Sequence, residues 1–327
     1  MSLRLQNPML SRVAESLYWM SRYLERAEHT ARLIDVDFEL RLDQSPEASS
    51  GRWWRLLEAL QAPAPEQSTI DAATLTHLLT LDKENSSSII SCIAAARENL
   101  RQVREQCSSS MWEHLNRLYL QVNSTTSNET WLLQSYVFFR SVREGAHLFH
   151  GVTDSTMSHG EGWQYIQLGR YVERTDAVAR LIGAYFSRLP YSPEQAVESE
   201  EYLEWVGLLK NCAAFEAYCK SYTAELRPLR VAEFLLLNPE CPHSVRFCVD
   251  KVHASLLAIA DLTERRQDLP VRLAGRLRAT LSFSQIDEVM ASGATAYVDS
   301  VRQQCSQAHS AIHQIYFDYP VETALSH

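Results

Sequence analysis

Residues 22–34 read RYLERAEHTARLI, and residues 170–182 read RYVERTDAVARLI, so eight of thirteen positions are identical. Each stretch carries a Glu-Arg doublet, Glu25-Arg26 in the first and Glu173-Arg174 in the second. Around both doublets, apolar or small residues recur in alternating steps of three and four, the period of one helix face. The pattern predicts two long helices, each of more than about 25 residues. The stripes are formed by Val13, Leu17, Met20, Leu24, Ala27, Ala31, Ile34 and Phe38 in one helix, and by Tyr165, Leu168, Val172, Thr175, Ala179, Ile182 and Phe186 in the other.

A second pair of similar segments follows in the same order. One begins at Leu81 and reads LDKENSSSIISCIAAARENL, and the other begins at Leu237 and reads LNPECPHSVRFCVDKVHASL. Each has a polar lead, then Ser88 or Ser244, and then an apolar helical pattern. Two matching segments in the same order indicate an internal duplication.

The composition favours helices throughout. The chain of 327 residues contains only 10 glycines, and no stretch shows the alternation typical of a half-buried strand. With 46% hydrophobic residues, the chain can bury a sizeable core. We predict an all-α fold, a single helical bundle that forms one domain over residues 1–327. Its two halves, residues 8–153 and 154–327, are predicted to be duplicated and pseudo-symmetric.

Two local patterns make finer predictions. Residues 129–149, ETWLLQSYVFFRSVREGAHLF, are apolar almost all round, which is typical of a central buried helix. Ser110-x-x-Glu113 has the spacing of a capping box and predicts the start of a helix.

Charge and cysteine content restrict the partners and the compartment. The formal net charge of −9 argues against nucleic acid as the main partner. No run of 18 apolar residues occurs, and the first ten residues lack the apolar core of a signal peptide. The seven cysteines form no Cys-x-x-Cys pair. We expect reduced thiols in a cytoplasmic protein that spans no membrane.

The face of the first helix opposite the apolar stripe combines charges with large aromatic rings. It carries Arg22, Glu25 and Arg26 together with Tyr18 and Trp19. A face exposed only to water rarely carries such aromatic residues, so we expect the charges to lie in an enclosed polar seam or pocket. The charges then either tie helices together, bind an anion or carboxylate, or supply a catalytic glutamate.

A second group of arginines supports the ligand-binding alternative. Arg97, Arg101 and Arg104 follow a helical spacing, and three stacked guanidiniums repel one another unless acids or a bound anion lie nearby. A solvated charged face is the other interpretation. The candidate ligand-binding residues are Arg22, Glu25, Arg26, Arg97, Arg101, Arg104, Arg170, Glu173 and Arg174, and the candidate catalytic residues are Glu25 and Glu173.

Other apparent sites carry less weight. His309 and His313 have the i,i+4 spacing of metal ligands on a helix, but no acidic third ligand follows at a suitable distance. His147-x-x-His150 ends an apolar helix, where histidines are common for electrostatic reasons. No phosphate-binding glycine loop, nucleophile elbow or His-Glu-x-x-His motif occurs. We therefore predict no metal site and no cofactor bound by this chain itself.

The chain resembles the alpha-E proteins, a bacterial family described as an α-helical domain with an ER motif. The resemblance rests on five stretches in order, which together span nearly the whole chain. One position departs from the family pattern, since His243 stands where the related Pro-Arg-Ser pattern has arginine. The stretches are SRVAESLYWMSRYLERAEHTARLI, SSSIISCIAAARENLRQVRE, MWEHLN, GWQYIQLGRYVERTDAVARLI and PHSVRFC.

This resemblance implies partners more than a reaction. Such proteins accompany a circularly permuted ATP-grasp protein, and a transglutaminase-like protease or an Anbu-type peptidase is often nearby. ATP and Mg would then act only through a partner ligase that forms peptide or amide bonds. The implied role is a helical partner or substrate-binding component with no established activity of its own. Two alternatives stay open, an enzyme that uses an ER-motif glutamate as acid or base, and a scaffold in which the ER pairs only tie helices together. A homo-oligomer is compatible with each of them.

Overall fold

The computed structural model describes residues 9–41, 46–62, 72–125, 135–188, 197, 199–222, 225–263 and 269–318. Within these ranges the chain is helical and contains no strand, so the predicted all-α class is confirmed. The α-helices are α1 Ser11–Arg41, α2 Pro46–Leu60, α3 Ala72–Thr80, α4 Ile89–Gln102, α5 Ser109–Thr125, α6 Ser135–Thr156, α7 Glu161–Arg188, α8 Ser199–Asn211, α9 Phe215–Tyr222, α10 Pro228–Leu237, α11 Val245–Thr263, α12 Leu269–Phe283, α13 Ile286–Ser292 and α14 Ala294–Ile312. A short 3-10 helix, Arg104–Gln106, follows α4, and a π-helical turn, His313–Phe317, follows α14.

The two helices that carry the ER doublets form the centre of the molecule. Helix α1 has 31 residues and α7 has 28, which confirms the predicted length. The apolar stripe of α1 is fully buried from Leu17 to Ile34. Its opposite face is also covered, because Tyr18, Glu25 and Arg32 are each at most 5% exposed. The expectation that α1 is enclosed on both sides is therefore confirmed.

The remaining long helices surround α1 and α7 as two rings. In one ring α1 packs on α4, α4 on α5, α5 on α6, and α6 on α1. In the other ring α7 packs on α11, α11 on α12, α12 on α14, and α14 on α7. The α1–α7 contact joins the rings, and one continuous hydrophobic cluster runs through both. The order of helices around each ring is the same.

The crossing of α1 and α7 depends on one glycine. A Cβ atom placed on Gly169 would lie 2.2 Å from the carbonyl oxygen of Tyr18, well inside van der Waals contact. The two backbones therefore approach more closely than any side chain at this position allows. This close approach brings the charged side chains that follow Gly169 within reach of those that follow Tyr18.

Two local predictions are wrong. Helix α6 is not central, because Tyr136 and Val137 are 56% and 59% exposed and only one of its faces is buried. Residues 129–134 of the predicted stretch lie outside the described residues. The cap of α5 is Ser108 rather than Ser110, since the Ser108 hydroxyl accepts a hydrogen bond from the Met111 amide at 3.2 Å. None of the helices in the described ranges is long and apolar enough to cross a membrane.

Candidate functional site

The two ER motifs exchange their ion pairs. Glu173 on α7 is bound by Arg26 and Arg22 of α1, and Glu25 on α1 is bound by Arg174 of α7, with Arg170 nearby. Each glutamate thus pairs with the arginine of the other doublet rather than with its own neighbour. The exchange follows from the close crossing of the two helices, which places the doublets opposite each other.

Glu173 is fully occupied by these arginines. Arg26 Nε donates to Oε1 at 2.7 Å and Arg26 Nη2 donates to Oε2 at 3.1 Å, while Arg22 Nε donates to Oε2 at 2.7 Å. Burial alone would raise the pKa of Glu173, but the charges of Arg22 and Arg26 outweigh it and lower the pKa to about 2. Glu173 is therefore a buried, ionised and hydrogen-bonded carboxylate.

Glu25 has the same arrangement with one looser contact. Arg174 Nε donates to Oε1 at 2.5 Å and Arg174 Nη2 donates to Oε2 at 3.1 Å, and Arg174 Nη1 also donates to the Pro242 carbonyl. Arg170 Nε lies 3.6 Å from Oε2, too far for a hydrogen bond. Burial raises the pKa of Glu25, but Arg174 and Arg170 outweigh it, so the net shift is downward.

One helical turn further along, each motif continues with an acid and an arginine. On α1, Arg32 Nη2 lies 3.0 Å from Glu28 Oε2, and on α7, Arg180 Nε lies 3.3 Å from Asp176 Oδ2. The last helix of each ring adds a basic side chain next to the acid. Helix α6 places His147 Nε2 3.5 Å from Glu28, and α14 places Arg302 Nε 3.8 Å from Asp176.

We call these groups the Glu25 network and the Glu173 network. They have the same connections but different compositions, because α6 and the segment before α11 bring histidines to the first network only. His150 Nε2 lies 3.7 Å from Glu25 Oε2. The Glu25 network comprises Glu25, Glu28, Arg32, His147, His150, Arg170, Arg174 and His243, and the Glu173 network comprises Arg22, Arg26, Glu173, Asp176, Arg180 and Arg302.

Buried polar atoms without a hydrogen-bond partner concentrate in the Glu25 network. Among the described residues they include both carboxylate oxygens of Glu28, both ring nitrogens of His150 and His243 Nε2. Arg170 Nε and two nitrogens of Arg32 also lack a hydrogen bond. In the Glu173 network, Arg302 Nε is the only buried side-chain atom without a hydrogen-bond partner. A buried polar group without a partner costs free energy, so this concentration marks a place where a ligand or ordered water belongs.

The Glu173 network instead borders open space. Two adjoining cavities, of about 250 and 380 Å³, share Arg22, Gln61 and Asp176 in their walls. We call the two together the Arg22 cleft. Its charged lining consists of Arg22, Arg26, Arg180, Arg302, Glu173, Asp176 and Asp299. Four guanidiniums against three carboxylates leave the cleft with an excess of one positive charge.

The aromatic residues on the charged face of α1 contact the C-terminal helix. His309 Nδ1 lies 2.8 Å from the Tyr18 hydroxyl, and Trp19 Nε1 donates to His313 Nε2 at 3.2 Å. Arg22 also stacks over the Trp19 ring, 4.7 Å from its centroid. In the described contacts, the i,i+4 histidine pair thus packs against α1 beside the Arg22 cleft.

The arginine ladder contacts neighbours other than the ER motifs. Arg97 donates to Asn116 Oδ1 at 2.7 Å and stacks on Tyr119, so it joins α4 to α5. Arg101 pairs with Glu98 on the exposed surface, and Arg104 stacks over Trp112. The predicted site residues therefore fall into two places. Arg22, Glu25, Arg26, Arg170, Glu173 and Arg174 come together at the α1–α7 crossing, and Arg97, Arg101 and Arg104 lie along α4 and the 3-10 helix after it.

Sequence reasoning missed several members of both networks. Glu28 and Asp176 lie one turn beyond the doublets, and Arg32 and Arg180 lie about two turns beyond. Both arginines follow a Glu-Arg doublet after five intervening residues, and this repeated spacing could have suggested them. Arg302 gave no signal in the sequence. A third buried ion cluster, in which Arg52 and Arg55 of α2 bind Glu204 of α8, was also not predicted. Such clusters depend on contacts between helices far apart in the chain.

The comparison with protein families agrees with this geometry. Residues 9–317 match the model of Alpha-E, described as a predicted alpha-helical domain with a conserved ER motif. The chain belongs to the Alpha-E family. The match covers every helix in the described ranges, and both Glu-Arg doublets lie inside it.

Among curated proteins, this Alpha-E chain is similar to uncharacterized mycobacterial proteins. One from Mycobacterium bovis and one from Mycobacterium tuberculosis are each 23% identical to it in an alignment of 315 residues, and the matches cover 87% of this chain and 34% of theirs. The chain thus spans about a third of the length of the curated relatives it matches. No solved structure matches it significantly.

Proposed function

We propose that this chain is a helical, substrate-binding partner of an ATP-grasp ligase system, and that the Arg22 cleft binds a carboxylate or phosphate group. The observation that carries this proposal is the excess of guanidinium groups in the cleft wall. Glu173 already accepts from Arg22 and Arg26, and Asp176 lies between Arg180 and Arg302. A wall with this excess of arginines fits an anionic ligand, since guanidinium groups bind carboxylate and phosphate by paired hydrogen bonds.

The conformation of Gln61 supports a ligand role for the cleft. This residue lines both cavities and has a φ of 51°, in the left-handed region where glycine is favoured. A glutamine at such a position costs free energy that a glycine would not. Backbone strain of this kind is common at binding sites, where the side chain has a use.

In this proposal the ER glutamates themselves are structural. Both oxygens of Glu173 accept from arginines, and its pKa of about 2 makes it a poor proton acceptor at neutral pH. The paired doublets fix α1 against α7 and thereby position the cleft. The alternative of a catalytic ER glutamate requires turnover by the isolated chain that disappears in Glu25→Gln.

The cleft is tested by isothermal titration calorimetry with inorganic phosphate, acetate and a tripeptide that has a free or an amidated C-terminus. Arg180→Gln and Arg302→Gln should weaken binding by about tenfold or more, because each removes a charged hydrogen-bond donor. Arg101→Gln is the matched control, since it removes one arginine from an exposed pair on α4. Equal affinities in all three variants would contradict the proposed site.

The partner is tested separately by analytical ultracentrifugation with a circularly permuted ATP-grasp protein from the same organism. ATP and Mg would enter only with that ligase, and a transglutaminase-like or Anbu-type peptidase is a further candidate partner. Complex formation at micromolar concentrations is expected. If the cleft binds anions but no complex forms, the partner proposal fails while the binding site stands.

Two features support the wider setting of this proposal. All seven cysteines are unpaired, as expected for a protein in a reducing compartment such as the cytoplasm.

The identical order of helices in the two rings supports an origin by duplication of one four-helix unit. An experimental structure in which α1, α4, α5 and α6 do not superpose on α7, α11, α12 and α14 would argue against duplication.

A further inference from the structure

The Glu25 network contains a convergence of electron-pair donors that the proposed function does not use. One carboxylate oxygen of Glu25, one of Glu28 and one ring nitrogen of His243 lie within 4.8 Å of one another, and all three residues are buried. The three come from α1 and from the turn before α11. We propose that this cluster binds a divalent transition-metal ion such as Zn²⁺ or Mn²⁺.

Donor atoms of Glu28 and His243 have unused hydrogen-bonding capacity. Glu28 is 3% exposed and His243 is 9% exposed, yet neither Glu28 oxygen nor His243 Nε2 has a hydrogen-bond partner among the described residues. The contact of Glu28 with Arg32 at 3.0 Å lacks hydrogen-bond geometry. A metal ion placed between the three residues would give each of these atoms a partner.

The converging groups are also of the types that bind transition-metal ions. Glu25 and Glu28 bring two carboxylates to the cluster, and His243 adds an imidazole nitrogen. Ionised carboxylates and a neutral imidazole are the protonation states that a metal ion requires.

Two further histidines lie beside the three donor groups. His150 Nε2 lies 3.7 Å from Glu25, and both of its ring nitrogens lack a hydrogen-bond partner. His147, 3.5 Å from Glu28, is largely exposed. Mixed carboxylate and imidazole ligands suit zinc, manganese or iron, whereas magnesium and calcium prefer oxygen ligands alone.

The nearby arginines set a limit on affinity. Arg174, Arg170 and Arg32 place three guanidinium groups against the carboxylates of Glu25 and Glu28, so they compete with the metal ion for the same oxygens. We therefore expect reversible binding that chelators remove, rather than a permanently held ion. This inference departs from the sequence-based prediction that the chain has no metal site.

The test uses the full chain without an affinity tag, treated with EDTA and then titrated with Zn²⁺, Mn²⁺ and Mg²⁺ by calorimetry. We expect one Zn²⁺ or Mn²⁺ per chain, weaker Mg²⁺ binding, and visible d–d absorption when Co²⁺ is added. His243→Asn and Glu28→Gln should each weaken Zn²⁺ binding at least tenfold. His159→Asn is the control, because His159 is an exposed histidine near Asp154.

Circular dichroism of each variant, before metal is added, distinguishes loss of the site from loss of the fold. The proposal is overturned if no ion binds at one per chain, or if folded His243→Asn and Glu28→Gln bind as the control does. Mg²⁺ binding as tight as that of Zn²⁺ would also overturn it. None of these results bears on anion binding in the Arg22 cleft, whose arginines belong to the Glu173 network.

Discussion

The Glu25 and Glu173 networks have the same connections and different surroundings. In each, a buried glutamate of one central helix accepts from an arginine of the other, and an acid one turn further faces a base from a third helix. The third-helix residues differ, since α6 contributes His147 and His150, whereas α14 contributes Arg302 together with His309, which lies 3.2 Å from Arg22 Nη1. The ER motif therefore holds the helices together, and neighbouring helices determine what each network can bind.

The two networks also differ in how completely they are satisfied. The Glu173 carboxylate accepts three hydrogen bonds and borders the Arg22 cleft, so water and solutes can reach its arginines. In the Glu25 network, Glu25, Glu28 and His243 are buried, and several polar atoms of the network lack a hydrogen-bond partner. Groups beside an open cleft can exchange ligands with solvent. Buried polar groups without partners either hold a specific ligand or reduce the stability of the fold.

The largest expected effect comes from removing one ER carboxylate. Glu25→Gln and Glu173→Gln each leave buried arginines without their counter-charge, which costs about 3–5 kcal/mol. We expect the greater loss for Glu25→Gln, because Arg174 is 6% exposed whereas Arg26 is 24% exposed and can be reached by water. Urea denaturation in EDTA measures both. A greater loss for Glu173→Gln would show that the open cleft does not relieve the unpaired charge.

The crossing that both networks share is tested at Gly169. Gly169→Ala places a methyl group against the Tyr18 carbonyl, so α1 and α7 must separate, at a cost of about 1–3 kcal/mol or more. Gly151→Ala on α6 is the matched control, since nothing lies within 4 Å of its added methyl group. That control should gain roughly 0.5–1 kcal/mol from helix propensity. If the two variants unfold at similar denaturant concentrations, close backbone approach is not what positions the networks.

The pH dependence of the free energy of unfolding should differ between the Arg22 cleft and the Glu25 network. Burial, Arg22 and His313 lower the pKa of His309 beside the Arg22 cleft to about 4, from an ordinary value of 6.5, although Glu173 acts in the opposite direction. The unfolded chain therefore binds a proton between these two pH values that the folded chain does not. Stability contributed by neutral His309 is lost as pH falls from 6.5 towards 4.

His309→Gln should reduce this slope in pH-dependent thermal melts, and His159→Gln should not. His159 is an exposed histidine for comparison, with its ring about half accessible. The Tyr18 hydroxyl and Arg22 face His309 from α1, and burial raises the pKa of Tyr18 to about 12, so Tyr18 stays protonated across this range. An unchanged slope in His309→Gln would assign the acid sensitivity to the buried histidines of the Glu25 network.

The smallest expected effect concerns two left-handed residues that end helices. Gln61 after α2 and Ala213 after α8 have φ values of 51° and 47°. Changing either to glycine removes the steric cost and should stabilise the chain by about 1 kcal/mol. Only Gln61→Gly should also weaken anion binding, because Gln61 lines the Arg22 cleft. Equal binding in both variants would remove Gln61 from the proposed site.

The sequence allowed the fold to be predicted where the information is local. The stripes from Val13 to Phe38 and from Tyr165 to Phe186 fix two long helices, because apolar spacing along one chain segment is sufficient. The central position of these helices, and not of α6, depends on packing between rings. No local pattern distinguishes a helix buried all round from one whose apolar residues remain partly exposed.

The site was predictable in its residues but not in its pairing. The repeated doublet identified Glu25, Arg26, Glu173 and Arg174, and the aromatic neighbours indicated that they are enclosed. Their exchange between helices requires the crossing at Gly169, which has no signature in either helix alone. His243 was noticed only as a departure from the family pattern, and its place beside Glu25 and Glu28 depends on the turn before α11.

The exchanged ion pairs also constrain how the chain assembles. Arg22 and Glu173 are 151 residues apart, so the charged face of α1 has no ER partner until α7 has been synthesised. A ring of α1, α4, α5 and α6 formed earlier would leave Glu25 and Arg26 exposed to water. Contacts this distant in sequence form late and slow folding. We therefore expect α1 to be among the last helices to reach its native contacts. During translation, the charges on α1 oppose burial of this face before α7 is available to pair with them.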